Sequence, residues 1–364
     1  MEKRKLTEIC NPKQWKTIPT SELVEVGYPV YGANGIIGFY NEYNHEEKTI
    51  AITCRGATCG TVNLTCPKAY ITGNAMCLDN VNNTVILEYL FYAMKAYDFS
   101  KVISGSAQPQ ITRQGIEKVE VVVYPKEKQQ QIVCELQKVE SLITARQEQL
   151  AKLDELVKSR FIELFGTYPS NPMGWECGTI RDIVADVRYG SSRPAVDGGK
   201  YPYLRMNNIT YGGELDLTDT KRIDVPENEL DKCTVRRGDV LFNRTNSKEL
   251  VGKTCVYNRD EMMVLAGFVI RVRVTERILP EFLSAFLNTD FSKQMLLGMC
   301  KAAIGQANIN AQEMQNIGLY LPPIELQHQF VQFKEQTDKS KLAVQQGLQE
   351  LEILKKSLMQ QYFG

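Results

Sequence analysis

One segment of this chain occurs twice. Residues 306–364 align with residues 108–166 at a constant offset of 198 positions, without a gap, and 17 of the 59 aligned pairs are identical. The identical pairs include Gln129 with Gln327. Because similarity at one fixed spacing marks duplicated structure, the chain must fold into two copies of one element, each preceded by a different stretch of sequence.

Both copies carry the periodicity of a long α-helix. Positions separated by alternating steps of four and three residues run from Ile132 to Leu164 in the first copy and from Phe330 to Tyr362 in the second. This spacing is a heptad seam, which predicts packing against another helix. About 33 helical residues extend about 50 Å, more than a domain of about 130 residues needs to cover one face. We therefore predict that the two helices pair with each other as an antiparallel coiled coil.

Each long helix follows a segment of different character. Residues 1–125 and 167–323 contain short apolar runs separated by glycine, asparagine and proline, which is the pattern of strands and turns. We predict an α+β fold in the order domain, helix, domain, helix. The helices are expected over residues 126–166 and 324–364, and each opens directly after a proline.

Polar residues interrupt both heptad seams. They are Arg146 and Arg160 in the first copy and Lys334, Thr337, Lys341 and Lys355 in the second. Polar residues at such positions fix the register or the partner of a coiled coil at some cost in stability. We therefore expect them to set how the two helices align.

The cysteine and histidine content argues against several kinds of site. The ten cysteines include no Cys-x-x-Cys pair, so neither a disulfide scaffold nor a zinc ribbon is indicated. The nearest approach to a metal cluster is Cys54, Cys59, Cys66 and Cys77. Free cysteines often pack as small hydrophobic residues, and the chain has only His45 and His328. We predict no metal site and no histidine-based catalysis.

Motifs for nucleotide binding and methyl transfer are also missing from the sequence. Gly252-Lys253-Thr254 lacks the upstream glycine of a phosphate-binding loop, because Ser247 occupies that position. The chain has no Asn-Pro-Pro-aromatic sequence of the kind found in amino-methyltransferases. These absences favour a recognition protein over an enzyme.

Charge is evenly balanced along the chain. There are 43 Lys plus Arg and 43 Asp plus Glu residues, so no global basic field indicates a nucleic-acid partner. Locally, residues 236–277 carry nine basic and five acidic side chains, which predicts that any contact with a polyanion uses one face. The sequence has no apolar run of about 18 residues and no apolar targeting segment at its start. We therefore expect a cytoplasmic protein with no membrane partner.

At this point the chain resembles a known family, the specificity (S) subunits of Type I restriction-modification enzymes. The resemblance depends on the order domain, helix, domain, helix and on two matching junctions, QPQITRQGIEKVEVVVYPKEKQQQIV and QANINAQEMQNIGLYLPPIELQHQFV. The helix ends LVKSRFIELFG and ILKKSLMQQYFG also match, as do the domain phrases GYPVYGANGIIGFYN and KYPYLRMNNI. The first domain is shorter than the second, with a reduced counterpart of the opening at 175–194.

The resemblance implies a non-catalytic DNA-binding subunit. Residues 1–125 and 167–323 would be target recognition domains, each reading one half of a bipartite site in double-stranded DNA. The paired helices would act as a ruler for the unread gap and would dock two modification (methyltransferase) subunits. Restriction (translocase and endonuclease) subunits would complete the complex. S-adenosylmethionine, ATP and Mg would belong to the partner subunits, with no cofactor on this chain.

Candidate DNA-reading residues are chosen by chemistry. Arginine and lysine donate to guanine and amide side chains pair with adenine in the major groove. The candidates are Arg188, Tyr189, Ser191 and Arg193 in a basic loop at 188–193; Arg205, Asn207 and Asn208; Arg244, Asn246 and Lys248; and, in the first domain, Tyr31, Asn34 and Arg55. Arg205 and Arg244 are favoured, because an asparagine two residues later can bind the neighbouring base.

Other interpretations accompany this one, for three glutamines and for the whole chain. The repeated glutamines Gln108, Gln110 and Gln306 are interpreted as fixing each domain on its helix rather than reading bases. Two alternatives to a DNA-binding subunit stay open for the whole chain. One is a coiled-coil adaptor with two protein-binding heads, and the other is an enzyme built on its carboxylates. The salt dependence of DNA binding separates the DNA-binding subunit from the adaptor, since a steep dependence comes from counterion release and requires phosphate contacts.

Overall fold

The structure is a computed structural model that describes residues 2–33, 35–105, 108–300 and 307–364. It consists of two compact units, one formed by Met1–Glu148 with Val344–Gly364 and the other by Gln149–Ala343. The unit boundaries cut across both long helices. Each unit therefore combines a mixed α+β domain with part of each helix, as the predicted α+β fold requires.

The first unit is built on small sheets that are antiparallel except where β3 pairs with β7 in parallel. Its strands are β1 (Glu2–Lys5), β2 (Asn11–Gln14), β3 (Tyr28–Gly32), β4 (Gly35–Tyr40), β5 (Ile50–Thr53), β6 (Val62–Leu64), β7 (Tyr70–Ile71), β8 (Ala75–Asp79), β9 (Ile103–Ser104), β10 (Gln110–Ile111) and β11 (Glu120–Val123). Its helices are α1 (Leu6–Ile9), α2 (Leu87–Ala96), α3 (Arg113–Ile116) and the first part of α4 (Lys126–Phe165). The main sheet has the order β2-β8-β5-β6, and a second sheet has the order β4-β3-β7.

The centre of the first unit follows from its apolar runs. All four residues of β5 are buried, as expected for a short continuous apolar run inside a sheet. The core packs this sheet against α2 and against the buried face of α4 around Ile132 and Leu136. The long helix is thus anchored to the domain at its N-terminal end.

The second unit repeats this plan with more elements. Its strands are β12 (Glu176–Thr179), β13 (Val184–Tyr189), β14 (Tyr201–Leu204), β15 (Lys221–Ile223), β16 (Thr234–Val235), β17 (Val240–Asn243), β18 (Thr245–Asn246), β19 (Thr254–Val256), β20 (Met263–Leu265), β21 (Val269–Val274), β22 (Ala307–Asn308) and β23 (Gly318–Leu321). Its helices are the last part of α4, α5 (Glu227–Cys233), α6 (Pro280–Leu287), α7 (Asp290–Met299), α8 (Ala311–Gln315) and the first half of α9 (Ile324–Phe363). The two four-stranded sheets have the orders β13-β21-β17-β19 and β15-β14-β20-β16.

The duplicated segment folds alike in both copies. Strands β11 and β23 and helices α4 and α9 begin and end 198 positions apart. Each long helix starts directly after the repeated proline, because proline supports a first turn but removes the backbone donor that an earlier turn would need. No helix among the described residues is long and apolar enough to cross a membrane.

In the first unit the two long helices run antiparallel. The Tyr362 hydroxyl donates to Glu135 Oε2 at 2.6 Å, and Lys355 Nζ lies 2.6 Å from Glu140 Oε1. Residue numbers rise along one helix as they fall along the other, which confirms the predicted antiparallel pairing. Lys355, one of the polar seam residues, forms a cross-helix ion pair.

The second unit shows the same arrangement. Lys341 forms an ion pair with Asp154, and the Phe330 and Phe161 rings pack edge to face with centres 5.3 Å apart. Lys341 is again a polar residue of the predicted seam. A charged partner on the facing helix fixes register in the way that polar seam positions do in coiled coils.

Candidate nucleic-acid interface

Three segments of the second unit that carry predicted DNA-reading residues meet at one short connection. This connection, Leu265–Phe268, joins β20 to β21. Backbone hydrogen bonds tie it to all three segments: Ser191 N to Leu265 O at 2.7 Å, Ala266 N to Leu204 O at 2.9 Å, and Arg244 N to Phe268 O at 3.0 Å. We call the connection and these three segment ends the recognition edge. It gathers side chains that are far apart in sequence.

The segment 188–193 is not the flexible loop that the sequence predicted. Arg188 and Tyr189 end strand β13, because the hydrogen-bonded ladder with β21 continues through them. Ser191 is buried, and its hydroxyl accepts a hydrogen bond from Arg193 N at 3.2 Å. Ser191 therefore shapes the backbone, which corrects its assignment as a base reader. Arg188, Tyr189 and Arg193 are exposed.

Arg244 lies against Tyr189. The guanidinium carbon is 4.8 Å from the centre of the Tyr189 ring, and Nη2 donates to Asn308 Oδ1 at 3.1 Å. The Tyr189 hydroxyl accepts a hydrogen bond from Ala311 N at 2.8 Å. We call Tyr189, Arg244 and Asn308 the Arg244 patch. A cation–π contact and a neutral acceptor hold this guanidinium without cancelling its charge, and this leaves it able to bind an anionic or carbonyl acceptor.

Asn246 and Lys248 follow the Arg244 patch along the chain. Asn246 lies on the two-residue strand β18 rather than in an open loop, because β18 pairs with β22. Its Oδ1 accepts a hydrogen bond from Ser247 N at 2.8 Å. Lys248 is exposed in the turn beyond. Lys248 adds a positive charge close to Arg244 in the sequence, and Asn246 adds an amide.

Arg205 and the two asparagines after it form a short helical turn, Met206–Asn208. Asn208 is buried; its Oδ1 accepts from Arg205 N at 2.8 Å and its Nδ2 donates to Asp216 O at 2.8 Å and Asp219 O at 3.1 Å. Because these backbone groups occupy the oxygen and the nitrogen of its buried amide, the prediction of Asn208 as a base reader is wrong. Asn207, in contrast, is exposed.

Lys253 supports the same turn from the interior. Its Nζ donates to Met206 O at 2.8 Å, and the side chain is buried, which lowers the pKa of the ammonium. The lysine of the rejected phosphate-loop motif thus has a structural role. A buried amine is tolerated here because a backbone carbonyl accepts from it.

Three of the predicted arginines are paired with carboxylates. The pairs are Arg188 with Asp186 at 2.9 Å, Arg193 with Glu229 at 2.7 Å and Arg205 with Asp219 at 2.8 Å. The hydrogen bond from Arg193 lowers the pKa of Glu229 and raises the pKa of the arginine. These pairs offset the positive charge of the three arginines at this edge. Each guanidinium keeps N–H donors beyond those that its carboxylate accepts.

Of the DNA-reading candidates in the first unit, Tyr31 is buried and Arg55 is exposed. Tyr31 is buried and its hydroxyl accepts from Cys66 N at 3.2 Å, so it packs inside the domain and does not face a base. Asn34 lies outside the described residues. Arg55 is exposed shortly after β5.

Each unit has a short backbone pairing of its own next to one of these arginines. Arg55 pairs with Gln110 in the first unit, and Thr245, next to Arg244, pairs with Asn308 in the second. Gln110 and Asn308 are 198 positions apart. The interpretation of Gln110 as a residue that fixes the domain on its helix is therefore wrong, because it lies exposed beside Arg55.

The remaining repeated glutamines are placed differently. Gln108 is also exposed, and Gln306 lies outside the described residues. The contact between domain and helix is made instead by Gln129 and Gln327, which are fully buried. Their identity in the repeat was visible in the sequence, but repetition alone does not distinguish a buried amide from an exposed one.

Sequence reasoning also missed one residue of the recognition edge and one of the Arg244 patch. Phe268 is 51% exposed at the connection that joins the three segments. Asn308 accepts from Arg244, and its only signal in the sequence was alignment with Gln110. Exposed aromatic and amide side chains beside arginine are the groups that contact bases.

Comparison with known proteins identifies the class to which this duplicated recognition fold belongs. The family described as Type I restriction modification DNA specificity domain matches residues 1–155 and 172–353. The match covers both units and most of the chain, so the protein belongs to this family. Membership confirms the resemblance to the specificity subunits of Type I restriction-modification enzymes that the sequence showed.

Two curated relatives are specificity subunits of type I restriction enzymes. The EcoKI specificity subunit of Escherichia coli strain K12 is 28% identical over 161 residues, which are 43% of this chain and 34% of the relative. The EcoprrI specificity subunit of Escherichia coli is 29% identical over 115 residues, which are 32% of this chain and 28% of the relative. The aligned regions thus span about a third of the relatives' lengths.

Solved structures show the same fold over the whole chain. The S subunit of a Type I restriction-modification system from M. genitalium has a TM-score of 0.61 at 15% identity and covers 100% of this chain and 96% of its own. A chain from a structure on complex assembly and conformational transition of the type I R-M system has a TM-score of 0.61 at 18% identity, covering 100% and 97%. At these identities the likeness establishes the fold.

Proposed function

We propose that this chain is the sequence-specific DNA-binding subunit of a Type I restriction-modification complex, and that it reads a bipartite site in double-stranded DNA. The observation that carries the proposal is the recognition edge, where three segments with basic and amide side chains meet on one connection. Each unit also has a short backbone pairing at an arginine: Arg55 pairs with Gln110 in the first, and Thr245, next to Arg244, pairs with Asn308 in the second. Two similar but divergent domains are suited to read two different half-sites.

The electrostatics support DNA binding inside a larger complex. Zero net charge gives no long-range attraction to DNA, and several arginines are neutralised by carboxylates when DNA is absent. Phosphate and base acceptors can replace those carboxylates when the domain is held on the duplex. Partner subunits that enclose the DNA would supply the remaining affinity.

The proposal extends to the partners. Two modification subunits would dock on the paired helices, and restriction subunits would join them. S-adenosylmethionine, ATP and Mg would be bound by those partners. The adaptor alternative, with protein-binding heads, is less favoured because the family is defined by DNA specificity.

The first experiment maps methylation across the genome of a host that expresses this chain with its modification subunit. A new split motif with adenine methylated in both halves is the expected result, and it would show that both domains read DNA. A soluble complex that adds no new motif would contradict sequence reading by this chain. Failure to form any complex with the modification subunit would favour the adaptor function.

The ruler function of the helices has its own test. Residues 145–151 and 344–350 lie between the Glu140–Lys355 and Asp154–Lys341 ion pairs. Removing both heptads keeps the seam in phase and shortens each helix by about 10 Å, or about three base pairs at 3.4 Å each. The methylated motif should lose about three base pairs from its gap while its half-sites stay the same. An unchanged gap would refute the ruler.

A further inference from the structure

Three potential metal ligands meet in the first unit, and only one of them, Cys77, belongs to the group of four cysteines considered in the sequence. His45, Cys77 and Asp79 place one ligand atom each within 4.8 Å of one another. Cys77 and Asp79 are two residues apart on β8 and therefore point to the same face of the sheet. His45 reaches them from a backbone bridge to Ala69. The four cysteines singled out in the sequence do not assemble; among the described residues, only Cys77 enters such a group.

The hydrogen bonds of His45 point to a cation between it and Asp79. The Asn44 amide is fixed by Ile71, because Asn44 Nδ2 donates to Ile71 O at 3.0 Å and Asn44 Oδ1 accepts from Ile71 N at 2.9 Å. His45 Nδ1 lies 2.6 Å from that same Oδ1, so Nδ1 carries a hydrogen and donates. In a neutral imidazole the other nitrogen, Nε2, then carries a lone pair and can only accept.

That lone pair faces a second acceptor. His45 Nε2 lies 3.0 Å from Asp79 Oδ1, and a carboxylate oxygen also offers only lone pairs. Two acceptors at this distance require a positive species bound to both. A metal ion satisfies both atoms and also uses the Cys77 sulfur beside them, whereas a proton uses only the first two.

The groups around the cluster orient it as metal ligands are oriented in proteins. A metal-binding histidine usually donates its second ring N–H to an acceptor, and ligating carboxylates are held by hydrogen bonds. Here Asn44 Oδ1 accepts the hydrogen bond from His45 Nδ1, and Trp15 Nε1 donates to Asp79 Oδ2 at 3.1 Å. The Trp15 ring also packs edge-on against His45, with ring centres 5.1 Å apart. Both side chains are thereby held in place.

The donor set of imidazole nitrogen, thiol sulfur and carboxylate oxygen suits a small thiophilic cation. Tetrahedral zinc with nitrogen and oxygen ligands at about 2.0–2.1 Å holds these atoms about 3.3–3.4 Å apart, so a small widening of the 3.0 Å separation of His45 Nε2 and Asp79 Oδ1 would admit the ion. Cys77 is fully buried, and His45 and Asp79 have side-chain exposures of 10% and 12%. An open groove of about 710 Å³, lined by Trp15, His45 and Asp79, provides access.

We propose that His45 Nε2, Asp79 Oδ1 and Cys77 Sγ form a binding site for a divalent transition metal of the zinc type. The ion would join β8 to the segment around residue 45 and so stabilise the first unit. The proposal is independent of DNA recognition. It departs from the expectation of no metal site, because the three ligands are separated in sequence by 32 and two positions and match no metal-ligand motif.

The test uses the full purified chain, stripped of metal with a chelator and then titrated with Zn²⁺. We expect one zinc per chain by elemental analysis and a rise in the thermal midpoint that EDTA reverses. Cobalt substituted at the site should show a sulfur-to-cobalt absorption band. Because changes in outer hydrogen-bonding partners already weaken metal binding about 10–100-fold, His45→Gln, Cys77→Ala and Asp79→Asn should each weaken it by at least that factor.

Matched controls separate the site from adventitious binding. Cys134→Ser and His328→Gln change exposed residues of the same types and should leave zinc affinity unchanged. Trp15→Phe keeps the ring but removes the N–H that holds Asp79, and it should weaken zinc without unfolding the domain. Equal zinc binding by wild type and the three ligand variants would overturn the proposal. The proposal would also be overturned if zinc left the thermal midpoint unchanged while pH shifted it only in proteins that retain His45. The cation between His45 and Asp79 would then be a proton.

Discussion

Gln129 and Gln327 make the same three hydrogen bonds in the two units. Gln129 Oε1 accepts from Ile86 N at 2.8 Å, while its Nε2 donates to Thr84 O at 3.0 Å and Tyr124 O at 2.7 Å. Gln327 accepts from Leu279 N at 2.8 Å and donates to Arg277 O at 3.3 Å and Pro322 O at 2.9 Å. Each amide ties the first turn of a long helix to the residue that precedes helix α2 or α6.

Replacing these amides should destabilise the contact between domain and helix. Gln129→Leu or Gln327→Leu leaves a buried backbone N–H and buried carbonyls without partners, which costs about 1–3 kcal/mol each. Chemical denaturation of the full chain measures the free energy of unfolding. Gln131→Leu and Gln329→Leu are matched controls, because this pair is also identical in the repeat but exposed. Equal effects at both pairs would contradict the assigned role.

The Arg244 patch should contribute to sequence reading. Arg244→Gln removes the guanidinium beside Tyr189 and Asn308, and we expect a loss of about 1–3 kcal/mol in binding with relaxed specificity at one position. Binding of the assembled methyltransferase to cognate and single-mismatch duplexes measures both. Arg237→Gln is the control, since Arg237 precedes the start of β17 while Arg244 follows its end. Uniform weakening on all sequences would make Arg244 a phosphate contact instead.

The carboxylate partner of Arg205 should restrain DNA binding. Asp219→Asn removes the charge 2.8 Å from the Arg205 guanidinium, which frees the arginine for a phosphate or base. We expect tighter DNA binding and a salt slope steeper by about 0.9 if a phosphate contact is gained. Asp260→Asn, which removes the exposed partner of Arg237, should change neither quantity. Weaker binding by Asp219→Asn would show that the ion pair orders the turn for recognition.

Lys293 should make the stability of the second unit depend on pH. Burial lowers its pKa from 10.5 to about 8, with nearby Lys158 and Lys253 acting in the same direction. Between these two values the unfolded chain holds the proton more tightly, so the free energy of unfolding rises as pH increases from about 8 to 10.5. Below about pH 8 the cost of burying the charged amine is constant.

Comparison with Lys293→Met isolates this effect. The difference in unfolding free energy between wild type and variant should shift in favour of wild type over that pH range. Loss of the hydrogen bond from Lys293 Nζ to Tyr211 O, 2.8 Å long, adds an offset that does not depend on titration. Lys232→Met, at an exposed lysine, should give a difference that is flat with pH. A flat difference for Lys293→Met would contradict the lowered pKa.

Much of the architecture was predictable because periodicity and repetition are local properties. The heptad spacing from Ile132 to Leu164 predicted a long helix, and its repeat predicted a matching partner. The prolines at 125 and 323 predicted where both helices begin. Lys341 and Lys355 were recognisable as polar seam positions, although their partners Asp154 and Glu140 were not.

The candidate site was less predictable because burial is decided by tertiary packing. Tyr31, Ser191 and Asn208 are residue types that read DNA when exposed, yet each is buried and bonded to backbone atoms. Nothing in the local sequence distinguishes Asn207, which is exposed, from Asn208, which is not. Phe268 was hidden inside an apolar run that otherwise forms a buried strand.

The sequence by itself determined the duplicated plan, the helix positions and the family, since these depend on spacing along the chain. Tertiary structure alone decided which side chains share a surface. It brought the segments near residues 190, 205 and 244 to one connection through backbone hydrogen bonds, and it placed His45 beside Cys77 and Asp79. The physical reason is that strand pairing joins residues by distance in space, which no periodicity along one segment records.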